Sequence, residues 1–172
     1  MTSFISTQAL RVLLFGALAA GGQFLTTACT KDTEDTKSYA GVDEDIIKKY
    51  LADKSITTAQ RQPSGLYYLP VTANAAGTRA VPGKTVSVLY TGRFLDGRVF
   101  DSTSSRNNTP FTFVLGARQV ITGWDEGIAL MRKGEKAELL IPSAIAYGSR
   151  GSGASIPPNT VLRFEVELVE VR

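Results

Sequence analysis

Histidine is absent from all 172 residues and cysteine occurs once. Without His, a His-containing metal site, a Ser-His-Asp triad and a Cys-His pair are all excluded, and one Cys cannot form an intrachain disulfide. A Ser nucleophile would then need Lys or a carboxylate as its base, and no such motif is present. Charge of one sign is also missing as a block. Nineteen Lys and Arg stand against 16 Asp and Glu, and the basic residues are scattered, without the patch or stripe of a nucleic-acid partner. Apolar runs are short: Val12 to Ala20 is too brief and too weakly apolar for a permanent transmembrane helix. No metal and no cofactor is expected, and no internal repeat is visible.

What remains is organised in order along the chain. Residues 1–28 read as a secretory signal, with Arg11 as the only charge ahead of the apolar run and Leu25-Thr26-Thr27-Ala28 before Cys29. Small residues followed by Cys resemble a bacterial lipobox, which implies cleavage before Cys29 and its lipidation. Leu25, however, stands four positions before the Cys, and Thr26 occupies the place where Leu is commonest. An ordinary signal with an incidental Cys is the alternative. Several acyl chains on one Cys hold a protein on a bilayer where a single chain is marginal. Residues 29–41 are expected to form a disordered, polar tether. Its acidic start is similar to export signals of Gram-negative surface lipoproteins, so the expected location is periplasmic or at the outer membrane.

Residues 42–62 are expected to hold a short helix and a linker. Val42, Ile46, Ile47, Tyr50 and Leu51 fall at helical spacing, with Asp43, Glu44 and Asp45 in the first turn. Such a helix is marginal alone, so it either docks on the domain or mediates association. The domain proper is expected over 63–172. Leu66 to Val71 is a strand. Thr85 to Phe94 alternates, with Val86, Val88 and Tyr90 on one face. Asp96-Gly97 is a two-residue hairpin signal between Leu95 and Arg98. Ser102 to Asn108 is a polar loop, and Phe111, Phe113 and Leu115 form the next apolar face. Around the only Trp, Val120 to Met131 predicts a short amphipathic helix, terminated by Lys133-Gly134. Ala137 to Ile141 and Val161 to Val171 are strands, separated by a long loop of small residues, Ser143 to Asn159. The sum is an α+β fold, about five antiparallel strands in a curved sheet around one short helix.

If the concave face meets that helix, Tyr90, Phe111, Val120, Ile121, Trp124 and Phe164 converge, with Tyr147 supplied by the long loop. This is an aromatic pocket with few polar groups, suited to a small apolar ring. Trp124 serves equally well as plain core. Asp125-Glu126 are adjacent on a helix and serve its dipole. The run Gly148 to Gly153 lacks the Lys-Ser/Thr ending of a phosphate loop.

Seven fragments in order now carry a resemblance: Val88-Leu89-Tyr90-Thr91-Gly92, Asp96 to Ser102, Pro110-Phe111, Val120 to Trp124, Ala146-Tyr147-Gly148, Ile156 to Asn159, and Leu162 to Leu168. Together they resemble the FKBP family of peptidyl-prolyl cis-trans isomerases, from about Gly65 to the C-terminus. The resemblance implies a five-stranded antiparallel sheet around a short helix and an activity that speeds rotation about Xaa-Pro bonds. It implies Trp124 as a floor under the proline ring, with Tyr90, Phe111, Val120, Ile121 and Phe164 as walls and Phe100 and Ile156 at the rim. It further implies that the Ile121 N–H and the Tyr147 hydroxyl bind substrate carbonyls, and that Asp101 sits beside the reacting amide. Proline-containing peptides, unfolded proteins and macrolide immunosuppressants are the implied partners. A non-catalytic proline-binding or chaperone module on a lipid anchor, and a structural surface lipoprotein, are the competing readings. Compared with compact family members, the Ser102 to Pro110 loop is one residue longer, Arg106 falls near the position of a basic residue, and Gln119 and Ser152 stand where others carry Glu and His. These departures bear on substrate preference and drug affinity.

Overall fold

The alternation of Thr85-Val86-Ser87-Val88-Leu89-Tyr90-Thr91-Gly92-Arg93 makes one strand the axis of the molecule, with every second residue buried. The computed structural model describes residues 39–172. The expected signal segment, Cys29 and the tether up to residue 38 lie outside the described residues. In chain order the elements are α1 (Tyr39–Asp53), β1 (Gln60–Arg61), β2 (Tyr67–Thr72), β3 (Thr85–Arg93), β4 (Val99–Ser102), β5 (Phe111–Val114), α2 (Thr122–Ala129), β6 (Lys136–Ile141) and β7 (Leu162–Val171).

The strands form one antiparallel sheet in the order β1-β2-β6-β7-β3-β4, with β5 also paired to β3. The expected five-strand core is present. The count rises to seven because Gln60–Arg61 pairs with Tyr67–Tyr68, and because β4 and β5 share one edge of β3. Residues 85–88 of β3 pair with β5 and residues 91–93 with β4. Between these stretches the side chain of Thr103 fills the ladder: its Oγ1 accepts the Tyr90 N–H at 3.1 Å and its hydroxyl donates to the Tyr90 carbonyl at 3.2 Å. The polar loop is thus built into the sheet, and its first part is a 3-10 turn, Thr103–Arg106, capped by Ser102 and closed by Asn107 in the left-handed region.

The hairpin after β3 differs from the two-residue expectation. The Phe94 N–H donates to Arg98 O at 2.9 Å, which leaves Leu95-Asp96-Gly97 as a three-residue loop with Gly97 at φ 94°. The helix α2 also ends earlier than expected, at Ala129. There the chain leaves the helix to pair with residues 78–80: Ala80 N–H donates to Met131 O and Lys133 N–H to Thr78 O. Two further 3-10 turns, Ser143–Ile145 and Gly148–Arg150, break up the long loop.

Two helices cover opposite faces. On the concave side α2 approaches closely because Gly123 and Gly127, four residues apart, face the sheet. A Cβ at Gly123 would lie 2.4 Å from Ile141 Cγ2, and one at Gly127 would lie 2.7 Å from Leu139 Cδ1. Trp124, Ile128 and Met131 then join Tyr68, Val86, Val88, Leu139, Ile141, Phe164 and Val166 in the main core. On the convex side Ile47 and Leu51 of α1 meet Tyr67, Leu69, Leu140 and Val161.

The helix α1 begins at Tyr39 rather than Val42, so residues 39–41, expected in the tether, form its first turn. Asp43, expected in the first turn, therefore lies one turn in, where it is fully buried and engaged with Ser143. Its end is a Schellman turn: Ser55 takes φ 54°, Ile56 N–H donates to Leu51 O and Ser55 N–H to Ala52 O.

Candidate active site

The helix start at Ile121 is where the sheet and α2 leave an open-topped hollow of about 190 Å³. Tyr90 enters from β3, Phe100 and Asp101 from β4, Phe111 from β5 and Phe164 from β7, while Val120, Ile121 and Trp124 come from the α2 entrance and Tyr147 from the long loop. Nine of the residues expected from the sequence therefore line one pocket. Ile156 is not among the lining residues; it is 5% exposed and packs in the main core. Gln119 lines the pocket as well, its side-chain oxygen held by the Val114 N–H at 2.9 Å. In the sequence it was marked by its place beside Val120 and by the resemblance, as a Gln where other members carry Glu.

The aromatic rings brace one another edge to face. Trp124 lies 4.8 Å from Tyr90 and 5.2 Å from Phe164 between ring centroids, both near-perpendicular, and Phe100 meets Phe164 at 5.4 Å and 88°. Such pairs stabilise beyond their buried area by about 0.5–1.5 kcal/mol each. Room for this cluster depends on Gly92, whose added Cβ would fall 2.6 Å from Phe100 Cζ and 2.9 Å from Phe164 Cε1. The sequence offered Gly92 only as part of a strand; the crossing of two rings above it is a tertiary fact.

One wall is ionic. The Tyr90 hydroxyl donates to Asp101 Oδ2 at 2.5 Å, and Arg106 closes the triangle, donating from Nη1 to Asp101 Oδ1 at 3.0 Å and from Nη2 to the Tyr90 oxygen at 2.7 Å. Asp101 Oδ1 also accepts the Ser102 N–H at 2.8 Å. Arg106, whose membership of the site was open from sequence, is thus part of it. Burial works against ionisation of Asp101, but the hydrogen bonds from Tyr90 and Arg106 and the Arg106 charge hold its carboxyl below the usual range. Burial and the neighbouring carboxylate push the Tyr90 phenol up to about 12. Burial, then the Asp101 charge, also raises Tyr147. At neutral pH the site therefore holds one carboxylate, one guanidinium and two neutral phenols.

Two donors at the rim are left free, and in the floor the buried Trp124 indole N–H also has no partner among the described residues. The Ile121 N–H, at the N-cap of α2 with φ −61° and ψ 147°, donates to no other group among the described residues. The same is true of the Tyr147 hydroxyl, on a side chain 38% exposed at the pocket mouth. An apolar floor with donors at two points of its rim suits a small ring flanked by carbonyls. Among the described residues no group of three or more Cys, Asp or Glu side chains is placed to hold a metal ion.

Comparison with known proteins points the same way. The family model described as FKBP-type peptidyl-prolyl cis-trans isomerase matches residues 77–169. The chain is 57% identical over 94 residues to FK506-binding protein 2 of Candida glabrata, covering 54% of this chain and 68% of that protein. It is 50% identical over 95 residues to an FK506-binding protein of Neisseria meningitidis serogroup C, covering 55% and 86%. Among solved structures, FkpA from Escherichia coli is similar with a TM-score of 0.66 and 36% identity, over 79% of this chain and 62% of that one.

Proposed function

Because the chain belongs to the FKBP-type peptidyl-prolyl cis-trans isomerase family, we propose that its aromatic pocket seats a proline ring and speeds rotation about the preceding peptide bond. The observation that carries this reading is the pairing of a buried aromatic floor with two unengaged donors, Ile121 N–H and Tyr147 hydroxyl, beside the Tyr90–Asp101–Arg106 triangle.

Rotation is slow because amide resonance must be lost, at a barrier of roughly 18–20 kcal/mol. For Xaa-Pro bonds this gives relaxation over tens to hundreds of seconds. No bond is broken, so neither a nucleophile nor a general base is required. Proline lies on Trp124 between Tyr90, Phe111, Val120 and Phe164, with Phe100 toward the rim. Ile121 N–H and Tyr147 hydroxyl take carbonyls on either side and hold the peptide in a turn. Removing water from the scissionless amide carbonyl disfavours its planar, more polar form relative to the twisted one. As the nitrogen lone pair leaves conjugation the carbonyl carbon becomes more electron-poor, and the fixed Asp101 carboxylate favours that change. Clients are proline-containing segments of unfolded or mature proteins, and FK506-type macrolides compete for the same floor.

The segment up to residue 28 is read as an export signal and Cys29 as its lipidated residue, which places 63–172 as the isomerase domain outside the cytoplasm, at the periplasmic or outer membrane of a Gram-negative cell. Support comes from the Leu25 to Cys29 pattern and from bacterial relatives. A Cys29→Ser variant is expected to leave the membrane fraction, and its retention there would refute the anchor.

The deciding measurement is cis-trans exchange of an Ala-Leu-Pro-Phe peptide. Acceleration that a macrolide blocks is expected. A protein that binds the peptide without accelerating exchange would be a binding module instead.

A further inference from the structure

Asp43 is a charged side chain with no exposure at all, and it lies on α1, outside the residues that match the family model. Its Oδ2 accepts two hydrogen bonds across 100 residues of sequence, from the Ser143 N–H at 2.8 Å and the Ser143 hydroxyl at 2.6 Å. Its Oδ1 is buried and has no partner among the described residues. A carboxylate in that position is costly, so such a group is poor evidence for stability and better evidence for fixing one arrangement of the chain.

What it fixes is the turn that carries Tyr147. Ser143, 1% exposed, begins the 3-10 turn Ser143–Ile145, whose carbonyl at Ser143 accepts the Ala146 N–H at 3.0 Å. Tyr147 follows directly. Its hydroxyl has no hydrogen bond of its own among the described residues, so the path of this turn sets where the donor stands over the pocket. Glu44, beside Asp43, pegs the same helix to the sheet through Tyr67 and Arg61, so α1 is a fixed base for the clamp.

We infer that Asp43 is a positioning residue, by which α1 clamps the Ser143 turn and holds the Tyr147 hydroxyl at the pocket mouth. This rests on the reading of Tyr147 as a donor to substrate.

The test is a double-mutant cycle in the full chain, with peptide exchange giving kcat/KM. D43A is expected to lower kcat/KM by about fivefold in the wild-type background and to cause no further loss in Y147F. D43N, which keeps an acceptor oxygen for Ser143, is expected to stay within about twofold of wild type. An equal loss from D43A with and without the Tyr147 hydroxyl, or no loss at all, would overturn the clamp. Should D43A fail to fold, S143A serves in its place: it removes only the hydroxyl donor and is expected to cost about twofold, again only when Tyr147 is present. Amide exchange at Ala146 separates the two readings. Faster exchange there in D43A than in wild type, with α2 unchanged, in a chain whose wild type accelerates no peptide, would keep the clamp and refute the isomerase site. Unchanged exchange in an active chain would refute the clamp alone.

Discussion

The two faces of the sheet are each covered by a helix, by opposite means. On the concave face α2 reaches the strands through Gly123 and Gly127 and adds Trp124 and Ile128, so contact is short-range and apolar. On the convex face α1 stands off on the larger side chains Ile47 and Leu51 and is pinned by charge, Glu44 to Tyr67 and Arg61, and Asp43 to Ser143. Burial works against the charge of Glu44, yet Tyr67, Arg61 and Lys48 hold its carboxyl below the usual range. The contrast teaches that the apolar side is the one free to receive a ligand. Its polar groups are gathered at one wall, two rim donors and the Trp124 indole N–H, whereas the charged groups that pin α1 are engaged there, Glu44 with Tyr67 and Arg61 and Asp43 through its Oδ2. The convex hollow of about 350 Å³, between Lys136, Glu138, Glu165 and Glu167, is wider but has no comparable aromatic floor.

The largest blow to this comparison comes from Trp124→Ala. It removes a core ring and the pocket floor together, so about 3–5 kcal/mol of stability is expected to go, with peptide acceleration, in urea unfolding and exchange assays. Leu51→Ala should cost about 2–3 kcal/mol in the same unfolding measurement while leaving kcat/KM per folded molecule unchanged. A loss of activity as large as that of a pocket variant would mean the two faces are not separable. Gly92→Ala is expected to cost about 1–3 kcal/mol by overpacking, and to lower kcat/KM because Phe100 and Phe164 must part. Wild-type stability and unchanged exchange would show that the rings yield freely.

The smallest effect expected is that of pH. Asp101 is depressed and Tyr90 raised to about 12, so no pocket group changes charge between about pH 5 and 9, and kcat/KM should be flat there. The stability terms have opposite signs. The Asp101 contribution is present above about pH 4 and fades as acid takes the solution through its lower folded value. The Tyr90 contribution is present below about pH 10 and fades as pH rises through about 12. A limb in the activity profile near pH 7 would point to a group other than these.

Much of the concave face can be read from period and motif alone. The alternation through Val86, Val88 and Tyr90 places these side chains on one face, and Trp124 at helical spacing from Ile128 and Met131 places it in the core. The loops were harder. Asp96-Gly97 signalled a turn, but whether two or three residues lie outside the ladder depends on which pair closes it, here Phe94 and Arg98. The stop of α2 at Ala129 was hidden because its cause, pairing with residues 78–80, is some fifty positions away in sequence.

By itself the sequence determined the chemistry available: no His, no intrachain disulfide, and a set of aromatics whose period suits a pocket for a small apolar ring and whose motifs resemble a proline-binding family, because residue identity and strand or helix period are local properties. Only the tertiary structure decided the rest. Arg106 joins Asp101 and Tyr90 because a 3-10 turn folds back on β3. Gly92 is required by two rings from other strands, and Asp43 reaches Ser143 across 100 residues. Each of these is a contact between distant segments, and no local propensity encodes which distant partner a side chain will meet.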